Sequence, residues 1–207
     1  MFFNLFNNAQ KEKQSEKAIF GTMLAFGIVG LIASLTLAIE EFHLLKDPDT
    51  ILSCTFNLVL NCATVMKTWQ ASVFGFPNMF IGLIGFPIVI TIALLGLSQV
   101  KFPRWFLIGA EIGYAFWTLF AYWLFFNSVY VIQVLCPWCL LVTFSMTILA
   151  ATITRYNLKN NVFKLSSSVH KKVEHFLEKD YDKLGVAIWI VVLIALVLAK
   201  FGDALFA

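Results

Sequence analysis

Polar residues in this chain come in blocks, and between the blocks the chain is almost wholly apolar. The apolar stretches are Ala18–Ile39, Met79–Val100, Trp105–Val129, a fourth from Val129 or Tyr130 to Thr154, and Leu184–Ala199. Glu111 is the one acid inside them. Runs of roughly 20 apolar residues are long enough to cross a hydrocarbon core as helices. The first is too long and uniform for a signal peptide, and no small-residue cleavage site follows it. The pattern predicts an all-α integral membrane protein with five transmembrane helices.

The polar blocks divide the chain into a tail (1–17), a four-helix membrane domain (18–154) with a long loop at 40–78, a polar linker (155–183), and a fifth helix with the C-terminus (184–207). In the linker, Val173, Phe176, Leu177, Tyr181 and Leu184 recur at helical spacing, which predicts an amphipathic helix lying on the membrane surface. The loop is long for a structureless connection. Its Leu58, Val59, Leu60, Val65, Met66 and Trp69 predict a segment folded down onto the bilayer, with a short helix over Ala63–Trp69.

Composition agrees with a membrane protein. Of the 207 residues 60% are hydrophobic and 13% charged, against about a quarter charged in soluble chains. Mean hydropathy is +0.83. The net charge of +3 is unevenly spread: 12 of the 15 basic residues fall in the tail, in the turn at Lys101 and Arg104, and in the linker. Positive connections stay in the cytoplasm. The N-terminus and linker are therefore expected inside, and the 40–78 loop and the C-terminus outside. The charge is a topology signal and gives no reason to invoke nucleic acid.

This topology puts all four cysteines, Cys54, Cys62, Cys136 and Cys139, on the exterior side, the last two about two turns into the fourth span. An even number facing an oxidising compartment points to disulfides, and four cysteines allow three pairings among which spacing does not choose. Cys136 and Cys139, in LCPWCLL, are one helical turn apart and can meet on one face. Pro137 suits the first turn of a helix. If a helix starts or restarts near Cys136, the unpaired amides there favour a thiolate on it. No alternating strand and helix pattern surrounds the motif, which excludes a thioredoxin domain.

The loop pair in CTFNLVLNC, the following ATVMKTWQASVFGFPNMFIGLIGF and the LCPWCLL motif together resemble the vitamin K epoxide reductase family, in its bacterial disulfide-forming branch. The likeness covers roughly 18–154. It implies a four-helix transmembrane bundle around a quinone, capped on the exterior by the loop and a half-helix; the fifth helix lies outside that common core and is expected to be peripheral. It implies that Cys54 and Cys62 are shuttle cysteines and that Cys136 and Cys139 are the active-site pair. Thr68 matches the family's Ser or Thr six residues after the second loop cysteine, and Asn78 matches its Asn at the outer start of the second span. The implied localisation is a bacterial inner (cytoplasmic) membrane. Two departures matter. Thr143 stands where the vertebrate enzymes carry Tyr, which turns the reading from epoxide reduction toward quinone reduction. Many bacterial members also carry a fused thioredoxin-like domain; here the chain stops soon after the fifth span, so a separate exterior thioredoxin-fold dithiol protein is expected as partner, besides membrane lipid.

The expected mechanism is a relay by thiol–disulfide exchange. Cys54 faces the partner, Cys62 attacks Cys136, and Cys139, the deeper sulfur, donates to a menaquinone or ubiquinone. A flat ring with two carbonyls needs apolar walls and a donor or two. Asn78 and Thr68 are candidate donors, and Phe74, Phe76, Phe80, Trp117 and Trp138 candidate walls. Glu111 is expected to be structural, reaching the inner interface or Arg104, and His43 to lie on the surface. The alternatives are a vitamin K epoxide reductase proper and a cysteine-based metal carrier. A carrier would expect thiols along the inward pathway, whereas all four lie outside; no metal is expected.

Overall fold

The computed structural model describes the backbone of residues 2–206 and the side chains of residues 13–202. The tail residue Lys11, one of the topology markers, has its side chain outside that range. The chain is α-helical, in the order α1 (Phe2–Lys46), α2 (Cys62–Met66), a 3-10 turn (Trp69–Ser72), α3 (Met79–Leu97), α4 (Arg104–Phe126), a π-helical turn (Asn127–Ile132), α5 (Pro137–Lys159), α6 (Ser167–Glu178) and α7 (Tyr181–Phe206). Among the described residues five helices, α1, α3, α4 with its π turn, α5 and α7, are long and apolar enough to cross a membrane. The protein is an all-α integral membrane protein.

In lipid there is no hydrophobic gain from bringing helices together, so close backbone approach and interhelical hydrogen bonds do the work. The α1–α3 contact depends on glycine. A Cβ on Gly30 would lie 2.2 Å from Cε1 of Phe86, and one on Gly96 would lie 2.3 Å from Cδ1 of Phe20. Both aromatic rings are buried, and each lies where a side chain on the opposing helix would otherwise be. α1 packs on α3 and on α5, and α5 packs on α4; α3 and α4 make at most marginal contact. The four helices thus form a bundle left open along one seam.

The helix bounds differ from those read off hydropathy. The fourth span does not begin at 129 or 130: those residues belong to the π turn that extends α4, and α5 starts only at Pro137. Cys136 and Cys139 therefore sit at the very start of the helix and not two turns into it. The long loop is shorter than 40–78, because α1 runs on to Lys46. The half-helix ends at Met66, and Trp69 opens a separate 3-10 turn. α7 extends three residues earlier and seven later than the apolar run at 184–199.

At the end of the bundle away from the cysteines, Arg155 holds the linker. Its guanidinium donates to Asp182 Oδ2 (2.6 Å), Asp180 Oδ1 (2.8 Å) and the carbonyl of Leu177 (3.0 Å). Arg104 donates to the carbonyl of Val162 (2.6 Å) and not to Glu111. Glu111 instead accepts from Thr154 Oγ1 (2.6 Å) and Asn157 Nδ2 (2.7 Å), one partner per carboxylate oxygen, and so ties α4 to α5.

Candidate active site

The segment before Cys136 is built to stop one helix and start another. The π turn ends at Gln133, whose φ of 58° is left-handed. Ser128 grips the segment that follows: its carbonyl accepts from Val134 N (3.2 Å) and its hydroxyl donates to the Val134 carbonyl. Cys136 then has extended backbone and acts as the N-cap of α5, with Pro137 in the first turn. The Cys136 sulfur accepts from the backbone N–H of Cys139 at 3.3 Å, and the Cys139 thiol donates to it at 2.7 Å. The two sulfurs are close enough to bond with little movement.

The loop pair is built from a tight turn. Asn57 Oδ1 accepts from the N–H groups of Val59 (3.0 Å) and Leu60 (2.7 Å), and Thr55 and Asn61 form an antiparallel bridge. This brings Cys54 and Cys62 to a Cα–Cα distance of 5.8 Å, and they are disulfide-bonded. Asn61 then does two things. Its side chain caps α2 by accepting from Thr64 N (3.1 Å), and its own N–H donates to the carbonyl of Leu135 (3.0 Å). With Leu135 N donating to the Val59 carbonyl (2.7 Å), Leu60 and Leu135 form a parallel bridge. That register brings the two segments together, and Cys54, Cys62, Cys136 and Cys139 share one apolar cluster with Leu37, Met66 and Met79. The loop is further held to α1 by Glu40, whose carboxylate accepts from the hydroxyl and the N–H of Ser53.

Beneath the cysteines lies a cavity of about 310 Å³. Its roof is Cys136, Cys139, Thr68, Gln70 and Asn78. It runs down between α3 and α4 as far as Val89 on one side and Ala110 on the other. The space exists because Gly85, Ala110 and Gly113 line it, and a Cβ at Gly85 or Gly113 would meet no atom within 4 Å. Since α3 and α4 scarcely touch, the cavity opens sideways toward lipid, where Ile88 both lines it and is exposed. Asn78 Nδ2 donates to the carbonyl of Gln70 (2.6 Å), while its Oδ1 is buried without a hydrogen-bond partner.

The profile of the vitamin K epoxide reductase family matches residues 22–154, which takes in the four bundle helices, the loop and all four cysteines. The chain belongs to this family. Membership makes this vitamin K epoxide reductase family protein a membrane oxidoreductase. No curated protein and no solved structure matches the chain.

Within this family member, Cys54, Cys62, Cys136 and Cys139 come together, and Thr68, Asn78, Trp117 and Thr143 reach the cavity. Phe80 and Trp138, expected as ring contacts, do not line it. Phe80 lies on the outer face of α3, 44% exposed, because it is turned about 100° from Met79, which faces inward. Trp138 is turned likewise from Cys139 and packs in the cluster around the disulfide. Phe74 and Phe76 are also outside the lining and largely exposed. Cys54, expected to face a partner, is 1% exposed and Cys62 is 0%, because Leu44, Leu52 and the Glu40–Ser53 contact close over them. Sequence reasoning passed over Ser34, Gln70, Phe86 and Tyr114, all of which line the cavity. A signal for Gln70 was present: it is a lone amide between Trp69 and Ala71, in the 3-10 turn that follows the half-helix.

Proposed function

We propose that this protein is a membrane thiol oxidoreductase that reoxidises a separate thioredoxin-fold dithiol protein and passes the electrons to a quinone. The observation that supports this best is the parallel bridge at Leu60 and Leu135, which sets one cysteine pair against the other directly above an apolar cavity. In this reading the cysteine end faces the exterior of an inner membrane, and the basic connections face the cytoplasm.

The cavity suits a quinone. Its volume is within the range of ligand pockets, which begins near 300 Å³. Its lining is apolar, and its sideways opening suits a ligand drawn from the bilayer. Asn78 has one amide hydrogen committed to Gln70, which leaves the second for a ring carbonyl and the unpartnered Oδ1 for a quinol hydroxyl. When bound, a quinone supplies a sink for two electrons and two protons. Thr143, with its hydroxyl donating to the Cys139 carbonyl (3.0 Å), gives the wall a short side chain there.

The protein's own steps are exchanges between sulfurs. A partner thiolate attacks Cys54 and releases Cys62 as a thiolate; the second partner thiol resolves the mixed disulfide, leaving the partner oxidised and the loop pair reduced. For this the loop must lift, since both sulfurs are covered. The exposed Ile51, Phe56 and Leu58 beside them offer an apolar landing surface. Cys62 then attacks Cys136 of a Cys136–Cys139 disulfide, and Cys54 closes on Cys62. The loop pair is bonded again, and Cys136 and Cys139 hold the electron pair as thiols. Asn78 orients the acceptor, and the buried cluster keeps water from the sulfurs.

The test mixes purified protein with a reduced thioredoxin-fold dithiol protein and a soluble quinone, and follows quinone absorbance. Quinone loss in the wild type that disappears in both Cys139→Ala and Cys54→Ala is the expected result. Absence of quinone reduction with both benzoquinones and naphthoquinones overturns the reading.

A further inference from the structure

α7 lies outside the family match, and it is the least buried of the membrane-length helices. It nevertheless reaches the active pair by two routes. The first is polar. Trp189 Nε1 donates to the Tyr122 hydroxyl on α4 (2.9 Å), and that hydroxyl is 2.8 Å from Thr147 Oγ1 on α5. Thr147 donates its own hydrogen to the Thr143 carbonyl (2.8 Å), so the hydrogen between Tyr122 and Thr147 comes from the phenol. The Thr143 hydroxyl in turn donates to the Cys139 carbonyl (3.0 Å). Every donor is thereby assigned, and the sequence of bonds runs one way, from the indole to the turn that carries Cys139. The second route is apolar. Leu193 and Phe201 of α7 pack in one buried cluster with Phe125, Val129 and Leu135, and Leu135 is the bridge residue next to Cys136.

Threonines that bond back to the carbonyl four residues earlier loosen and bend a helix. Thr143 and Thr147 do this in succession just below Cys139, so the first turns of α5 need an outside constraint. Tyr122 supplies it, and Trp189 fixes Tyr122. We infer that α7 is a positioning element for the active pair, with Trp189 and Tyr122 as positioning residues that set the depth of the Cys139 sulfur over the cavity. This rests on the proposed quinone reduction, but the position of the sulfur can be read without it.

The experiment uses the full-length protein in detergent or lipid, as wild type, Trp189→Phe, Tyr122→Phe and the double variant. Two rates are read: quinone reduction by the prereduced protein, and alkylation of Cys139 by a membrane-permeant maleimide in the fully reduced protein. Each single variant is expected to lower quinone reduction roughly three-fold, the scale of one interhelical hydrogen bond in a bilayer. Each is also expected to shift Cys139 alkylation by a similar factor. The double variant is expected to be no worse than either single one, because both break the same series of bonds. Reduction of the Cys54–Cys62 disulfide by the partner protein should be unchanged. Losses that add in the double variant, or a lower Tm with both rates unchanged, overturn the inference. If the wild type reduces no quinone but the variants shift Cys139 alkylation together and non-additively, the positioning role stands and the quinone reading falls.

Discussion

Gly85 offers a way to close the cavity without harming the fold. It lies on α3, lines the cavity, and has open space where a Cβ would be. A Cβ there meets no atom within 4 Å, so leucine is expected to extend its side chain into the cavity. Replacing glycine inside a helix by a good helix former is favourable by about 0.8–1 kcal/mol, and the new methyl groups contact apolar walls. Stability should therefore hold or rise. The cavity, about 310 Å³, is already near the lower limit for ligand pockets, so a leucine leaves too little room for a ring under Cys139. The expected result for Gly85→Leu is a KM for a soluble quinone raised at least about ten-fold, equivalent to about 1.4 kcal/mol. Tm and the rate of thiol exchange with the Cys54–Cys62 pair should be preserved. Gly109→Leu is the matched control: it also has open space at its Cβ, but it is exposed on α4 and does not line the cavity. An unchanged KM in Gly85→Leu, with the protein folded, would refute this assignment of the cavity.

Gly30→Val should force Phe86 aside and lower stability by about 1–3 kcal/mol, as overpacking does; a thermal melt in detergent checks it, with Gly21→Val, where a Cβ meets nothing, as the neutral comparison. Glu111→Leu removes the acceptor of Thr154 and the shorter of the two bonds of Asn157 Nδ2, the other going to the Leu107 carbonyl (3.4 Å), and should cost about 1–3 kcal/mol. Its quinone reduction per folded molecule should stay at the wild-type value, because Glu111 is absent from the cavity lining. Lys183, and then Arg155, hold the Asp180 carboxyl below the usual aspartate range. Its small stabilising effect is present above about pH 3.9 and fades as pH falls below that. The protection of backbone amides across α6, taken relative to the intrinsic exchange rate at each pH, should fall in that acid window, and Asp180→Asn should show the lower protection already at neutral pH.

The apolar runs made the five spans legible because length and absence of charge are all that a bilayer asks of a helix. The start of the fourth was not legible for the same reason. Between Phe126 and Pro137 there is no charge, so hydropathy passes smoothly over a π turn, a left-handed Gln133 and an extended segment, all defined by backbone hydrogen bonds. Pro137 was the one local sign of a new helix. The cysteines could be picked out by type and side of the membrane, but their juxtaposition depends on the Leu60–Leu135 bridge, a pairing across more than 70 residues that no local pattern encodes. Phe80 and Trp138 fall outside the cavity lining, which the sequence could not show because an aromatic side chain carries no label for the helix face it occupies; that phase is set by which neighbours, such as Met79 and Cys139, are drawn inward. Gly85 and Gly113 were visible as letters, but the void they leave appears only once α3 and α4 stand apart.

The burial of the Cys54–Cys62 disulfide has an electrical consequence. A disulfide is reduced at a rate set by how often a thiolate can strike its sulfur. With one sulfur 1% exposed and the other 0%, collisions from small dissolved thiols rarely succeed. In the proposed relay the loop would work as insulation around a conductor: a partner large enough to lift it would make contact, whereas stray reductants would leak little current. The selectivity of such a circuit comes from its cover, and the chemistry beneath can stay as unselective as any pair of sulfurs.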